Sequence, residues 1–152
     1  MTIDNFDKAI LRCLQENTRF KSEYIAEKVG LSATACQRRI KRLRDSGAIK
    51  KEVAVINPEI AGKPVTLIVQ LVVGRCGAEV LDRLKQDLIV LPEIQQCYNV
   101  TGAFDFVAIV TVKDMEAYEQ FTRRLFFDKP AIKEFETTVV MEKVKVGLEI
   151  PI

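Results

Sequence analysis

The sequence predicts an α+β chain, an N-terminal winged helix-turn-helix followed by a C-terminal ferredoxin-like βαββαβ domain. Three observations carry that expectation. The apolar period is helical up to about residue 48, and β-rich runs begin at Val65. A short helix, a glycine and a second helix follow one another around Gly30. Beyond Val65 the runs alternate in the order β-α-β-β-α-β. The 152 residues suit one ordinary domain or two small ones, and 48% hydrophobic with 29% charged residues is a folded composition. Pro58, Gly62 and Pro64 punctuate the stretch between the two patterns. Residues 1–56 are therefore assigned to the helical domain, 57–64 to a linker and 65–152 to the sheet domain.

The first helix is expected from Phe6 to Glu16, with Asp4 as its cap and Asp7 as a weak capping-box partner. Phe6, Ile10, Cys13 and Leu14 form its apolar stripe, and Cys13 reads as a small core residue. The second helix is expected over Ser22–Val29, capped by Ser22 and ended by Gly30. The third is expected over Ala33–Ser46. At ~100° per residue, Cys36, Ile40 and Leu43 fall within about 60° of one another and mark its buried side. Thr34, Arg38 and Lys41 lie opposite, with Gln37 and Arg42 on the flanks. Arg39 lies nearer the buried stripe and reads as structural, paired with an acid. Gly47 ends this helix, and Ala48–Ile56 reads as a short β wing carrying Lys50 and Lys51.

That outward face matches the needs of duplex DNA. Arginine suits guanine, glutamine suits adenine, and lysine and threonine suit phosphate. Ser32, with the free N–H groups of the helix start, suits a phosphate. Charge supports the assignment: residues 1–60 carry 12 Lys/Arg against 8 Asp/Glu, whereas residues 61–152 carry 11 against 13. From Arg38 to Lys51, seven cations face Asp45 alone. The expected contacts are Ser32, Thr34, Gln37, Arg38, Lys41, Arg42, Lys50 and Lys51.

In the second domain, strands are expected at Val65–Val73, Ile94–Val100, Phe104–Val112 and Lys133–Val146. Helices are expected at Gly77–Val90 and after Asp114, the second holding Ala117, Tyr118, Phe121 and Leu125. The first and third strands are apolar on both sides, as Leu67 with Ile68 and Phe106 with Val107 show. Helices cover one face of such a sheet, so the other needs a partner, and a homodimer formed sheet to sheet is expected.

Several classes are disfavoured. Histidine is absent, which removes histidine acid–base chemistry, Ser-His and Cys-His nucleophiles and histidine-ligated metal sites. Cys13, Cys36, Cys76 and Cys97 are far apart with no CxxC, so neither a zinc ribbon nor a thioredoxin-like centre is expected. No metal, no cofactor and no enzymatic activity are expected. Neither a run of about 20 apolar residues nor a secretory leader is visible, so the expected location is the cytoplasm, without membrane contact.

Taken together, these residues resemble the Lrp/AsnC, or feast/famine, family of transcription regulators. The resemblance runs through Ile3–Leu11, Tyr24–Ser32, Thr34–Leu43 with Gly47–Ile49, Ile56–Pro58, Thr101–Phe106 and Thr137–Lys145, in register. It implies a DNA-binding regulator whose second domain dimerises and binds a small molecule, usually an amino acid. It further implies assembly of dimers into tetramers or octamers. By matching position, the effector site would use Thr101, Gly102, Ala103 and Asp105 of a hairpin, with Thr137 of the last strand. The chemistry suits an amino acid: a glycine hairpin presents N–H groups to a carboxylate, and Asp105 can hold an ammonium group. A competing class is an amino-acid-sensing oligomer that acts through protein contacts instead of DNA.

Overall fold

The computed structural model describes residues 2–127 and 129–152. The elements in chain order are α1 (Asn5–Glu16), α2 (Ser22–Val29), α3 (Ala33–Asp45), β1 (Val65–Val73), α4 (Ala78–Ile89), β2 (Ile94–Asn99), β3 (Phe106–Val112), α5 (Met115–Phe127) and β4 (Ile132–Val139). They form two compact units, one of residues up to Val55 together with Lys145–Ile152, the other of Ile56–Val144.

The helical unit packs three short helices around Ile10, Cys13, Leu14, Ile25, Ala26, Cys36, Ile40 and Leu43, all buried. α1 starts on a full capping box: Asp4 Oδ1 accepts from Asp7 N–H at 2.8 Å and Asp7 Oδ2 from Asp4 N–H at 3.2 Å. α2 ends at Gly30, whose φ of 73° is left-handed and turns the chain straight into α3. The expected cap of α2 is corrected. Lys21 holds the cap position with no side-chain bond, and Ser22 is the first helical residue. Its hydroxyl instead accepts from Gln37 Nε2 at 2.9 Å, tying α2 to α3. Ser32 caps α3, accepting from Ala35 N–H at 3.2 Å.

Ala48–Ile56 carries no strand, unlike the wing expected there. The stretch has no Gly, Pro or Asn with which to turn back on itself, so Val53 and Val55 find no ladder and stay exposed. What fixes it is α3: Ile49 N–H donates to Leu43 C=O, and Arg44 makes two bonds to Glu52. At the other end of the chain, Gln15 of α1 exchanges two bonds with the main chain of Ile150, and Arg12 Nε donates to the Ile152 carbonyl at 2.6 Å. These contacts group Lys145–Ile152 with the helices within one chain.

The sheet unit is antiparallel throughout, in the order β2-β3-β1-β4. Leu67, Val69 and Leu71 of β1 stand opposite Val110, Ala108 and Phe106 of β3, and together they form the buried face. α4 contributes Leu84 and Leu88 to it, and α5 contributes Tyr118, Phe121 and Leu125. Asp114 caps α5, accepting from Ala117 N–H at 2.8 Å. The opposite face presents Ile68, Gln70 and Val72 beside Val107 and Ile109, all only partly buried within the chain.

Two strand limits differ from expectation by more than one residue. β3 begins at Phe106, because Phe104 lies in the hairpin turn. β4 stops at Val139, not Val146. Its partner β1 begins at Val65 just after Pro64, which has no N–H, so the ladder has run out of partner once Val140 N–H reaches Thr66 C=O. Among the described residues, no helix is long and apolar enough to cross a membrane, and no acid or cysteine cluster could hold a metal ion.

Candidate nucleic-acid interface and ligand hairpin

α3 buries Cys36, Ile40 and Leu43 and leaves Thr34, Gln37, Arg38, Lys41 and Arg42 exposed, together with Ser32 before it and Lys50 and Lys51 after it. All eight sequence-derived candidates thus reach solvent from one short stretch of chain. Their side chains are not equivalent. The ion pairs of α3 fall on Arg39, Arg42 and Arg44. Arg39 donates to Asp4 at 2.7 Å and to Asp7 at 2.8 Å, and Arg42 donates to Asp7 at 2.6 Å. Arg38 and Lys41 lie one residue away from these pairs and leave their charge outward. Gln37 is braced by Ser22, which orients its amide. Ser32 Oγ accepts from Ala35 N–H at the helix cap, and its O–H remains able to donate.

Electrostatics follow this geometry. The Asp7 N–H and then the Arg39 guanidinium hold the Asp4 carboxyl below its ordinary 3.8. Asp4 and then Asp7 push Arg39 upward in turn, and Glu52 does the same for Arg44. A cavity of about 280 Å³ lies beside Gln37 and Lys41, walled by Leu14, Phe20, Ser22 and Ile40.

In the sheet unit, Thr101, Gly102 and Ala103 are exposed in the β2–β3 hairpin. Gly102 adopts φ of 132°, a conformation closed to other residues, so the turn depends on it. Asp105 anchors the hairpin to β1. Its Oδ2 accepts from Val73 N–H at 2.7 Å and its N–H donates to Leu71 C=O. Its own carbonyl accepts from Val100 N–H and Asn99 Nδ2.

Thr137 is not brought to the hairpin within one chain. It stands opposite Val69, four residues along β1 from Val73, about 13 Å at ~3.3 Å per residue. Its hydroxyl is bonded to Tyr118 of α5. Sequence reasoning missed Asp7, Tyr118 and Asn99 as the groups that engage the candidate residues. Only Asp7 left a trace, as the weak capping-box partner of Asp4.

Comparison with known proteins agrees with both halves of this description. Residues 3–44 match the AsnC-type helix-turn-helix domain, and residues 66–150 match the Lrp/AsnC ligand binding domain. An uncharacterised HTH-type transcriptional regulator of Sinorhizobium fredii is 48% identical over 100% of this chain and 90% of its own length. A crystal structure of an AsnC family transcriptional regulator from Agrobacterium tumefaciens superposes with a TM-score of 0.92 at 33% identity, covering 97% of this chain and 96% of that one. The transcriptional regulator NMB0573 of Neisseria meningitidis, solved as a complex with L-Met, gives a TM-score of 0.92 at 25% identity over 99% and 97% of the two chains. The chain carries a DNA-binding helix-turn-helix and a ligand-binding domain, and it belongs to the Lrp/AsnC family of transcription regulators.

Proposed function

We propose that this regulator reads a specific operator with α3 and changes its grip on that operator when a free amino acid binds the sheet unit. The observation that carries the reading is the sorting of charge on α3. Arg39 and the half-exposed Arg42 are paired with carboxylates of α1, whereas Thr34, Gln37, Arg38 and Lys41 are exposed and make no ion pair within the chain among the described residues. Arg38 and Gln37 are assigned to base edges, and Thr34, Lys41, Ser32, Lys50 and Lys51 to phosphates. An amino-acid effector is supported by the L-Met complex of the Neisseria relative and by the hairpin chemistry of Thr101, Gly102, Ala103 and Asp105. Thr137 is 4 residues of β1 away, so we assign it to this site only if a second chain completes it. A homodimer formed through the open face of the sheet, assembling further into tetramers or octamers and working in the cytoplasm, completes the proposal. Dimers would place two copies of α3 in successive major grooves, roughly one helical turn apart.

Selection of bound duplexes from a random pool tests this reading. The expected outcome is enrichment of a roughly palindromic site whose binding weakens steeply with salt. Recovery of unenriched sequence, or binding indifferent to salt, would contradict it and favour an oligomer that acts through protein contacts.

A further inference from the structure

Asp7 has no exposed surface and sits on α1, outside every residue proposed to touch DNA. Both of its oxygens are committed. Oδ1 accepts from Arg39 at 2.8 Å, and Oδ2 accepts from Arg42 at 2.6 Å and from Asp4 N–H at 3.2 Å. Arg39 is further held by Asp4 at 2.7 Å, and its guanidinium lies 5.4 Å from the centre of the Phe6 ring. One buried carboxylate thus grips α3 at two points three residues apart, about 4.5 Å along the helix and ~60° around it. Two such points fix both the axial position and the roll of a helix, where one would leave it free to turn. The groups proposed to read DNA alternate with these anchors: Arg38 precedes Arg39, and Lys41 precedes Arg42.

We infer that Asp7 is a positioning residue for operator recognition, and that Arg42 is its anchor on α3 and not a contact to DNA. The inference goes beyond the assignment of α3 as the reading helix and rests on it. An apolar contact could hold two helices together as firmly as a buried charge cluster, and often more so. What the cluster adds is a single register. Non-specific attraction to the phosphate backbone needs only cations at the surface, whereas base readout needs Arg38 and Gln37 at defined positions over base edges. Loss of the clamp should therefore separate the two. Asp7→Asn removes a negative charge and releases Arg42, so attraction to any duplex should hold or grow while discrimination falls.

The test compares the full chain with Asp7→Asn, Arg42→Gln and Arg42→Lys on a duplex recovered by selection and on a random duplex of equal length, across a salt series. The expected result for Asp7→Asn is a specific-over-random affinity ratio reduced by about tenfold or more, on the scale of one lost base contact. Random-duplex affinity should be unchanged or higher, with a salt slope steeper by up to ~0.9 for each additional phosphate that the released cations reach. If Asp7→Asn does not fold, Arg42→Gln decides, since it keeps the Asp7–Arg39 pair. It should lower the ratio and leave the salt slope on random duplex unchanged, and Arg42→Lys should recover part of the ratio. Equal weakening on both duplexes by Arg42→Gln, with a salt slope shallower by about 0.9, would make Arg42 a phosphate contact and overturn the inference. So would an unchanged ratio in a variant that merely melts earlier. A wild type that does not discriminate between the duplexes would sink this inference and the reading of α3 together.

Discussion

The Asp105 carboxylate and the Val73 main-chain N–H meet at 2.7 Å, and this bond pins the β2–β3 hairpin to the end of β1. The same carboxylate is the group proposed to hold the ammonium of an effector. A structural role and a proposed ligand role therefore fall on one side chain, and removing it outright would confuse them. Asp105→Ala leaves Val73 N–H without its acceptor and should cost about 1–3 kcal/mol of stability. Asp105→Asn keeps an acceptor oxygen and removes only the charge. The asparagine variant should stay within about 1 kcal/mol of wild type in urea unfolding and lose the stabilisation that a bound amino acid confers. An asparagine variant that keeps its ligand response would reduce Asp105 to a hairpin anchor.

Acid should loosen the helical unit through Asp4. Its carboxyl is depressed below the ordinary 3.8 by the Asp7 N–H and by Arg39. A depressed carboxyl lends stability that is complete above its unfolded value and disappears as pH falls through its folded value. Asp4→Asn abolishes that contribution at every pH. Urea midpoints of wild type and variant should differ near neutrality and converge as the pH drops below about 3.8. A gap that persists unchanged into that range would show that the cap works through geometry alone.

Thiol chemistry should report the two cores separately. Cys13 and Cys36 are buried in the helical unit, Cys97 is half-buried beside the sheet core and Cys76 is exposed. Burial pushes the Cys97 thiol up, and burial with the nearby Cys13 does the same for Cys36. The thiolate is the reactive form, so both are slowed twice, by access and by protonation. Native labelling should therefore modify Cys76 first, with Cys13 and Cys36 reacting only on unfolding. Fast labelling of Cys36 in native conditions would contradict the packing of α3.

Tyr118 and Thr137 share a hydrogen bond between α5 and β4. Burial raises the Tyr118 hydroxyl, and the bond to Thr137 partly offsets the rise. Tyr118→Phe and Thr137→Val should each cost about 0.5–1.5 kcal/mol, and the double variant should cost less than the sum. Strict additivity in urea unfolding would mean that the bond contributes nothing. Should Thr137→Val also abolish the amino-acid response while Tyr118→Phe preserves it, Thr137 belongs to the effector site as well.

Regular periodicity is legible in the sequence, and side-chain partnerships are not. The stripe Cys36, Ile40 and Leu43 is buried as its spacing requires, because a helix carries its own geometry. Arg39 has the structural role that its angle to that stripe implies, whereas Arg42, at a flank angle, has the spacing of an unpaired cation. Its partner Asp7 is 35 residues earlier, and no local pattern relates them. Ser22 is the first residue of α2 and not its cap, and its hydroxyl accepts from Gln37, fifteen residues away. The wing and the far end of β4 mislead for one reason: alternating apolar residues such as Val53 and Val55, or Val144 and Val146, look like strands whether or not a partner strand exists. The hairpin is legible from Gly102, but the span along β1 between Asp105 and Thr137 is a fact of register that motif spacing does not contain.

The most direct test of the whole account is an equilibrium titration of the selected duplex with the full chain, repeated in the presence of each free amino acid. Binding of the two ligands should be coupled. One or a few amino acids, with L-methionine among the first to try, should shift the apparent Kd of the duplex by a factor of about 5–150 in either direction. By linkage, the duplex should shift the affinity of that amino acid by the same factor. Operator affinity that no amino acid changes, in a protein whose unfolding no amino acid delays, would contradict the claim that this chain senses amino acids to control DNA binding.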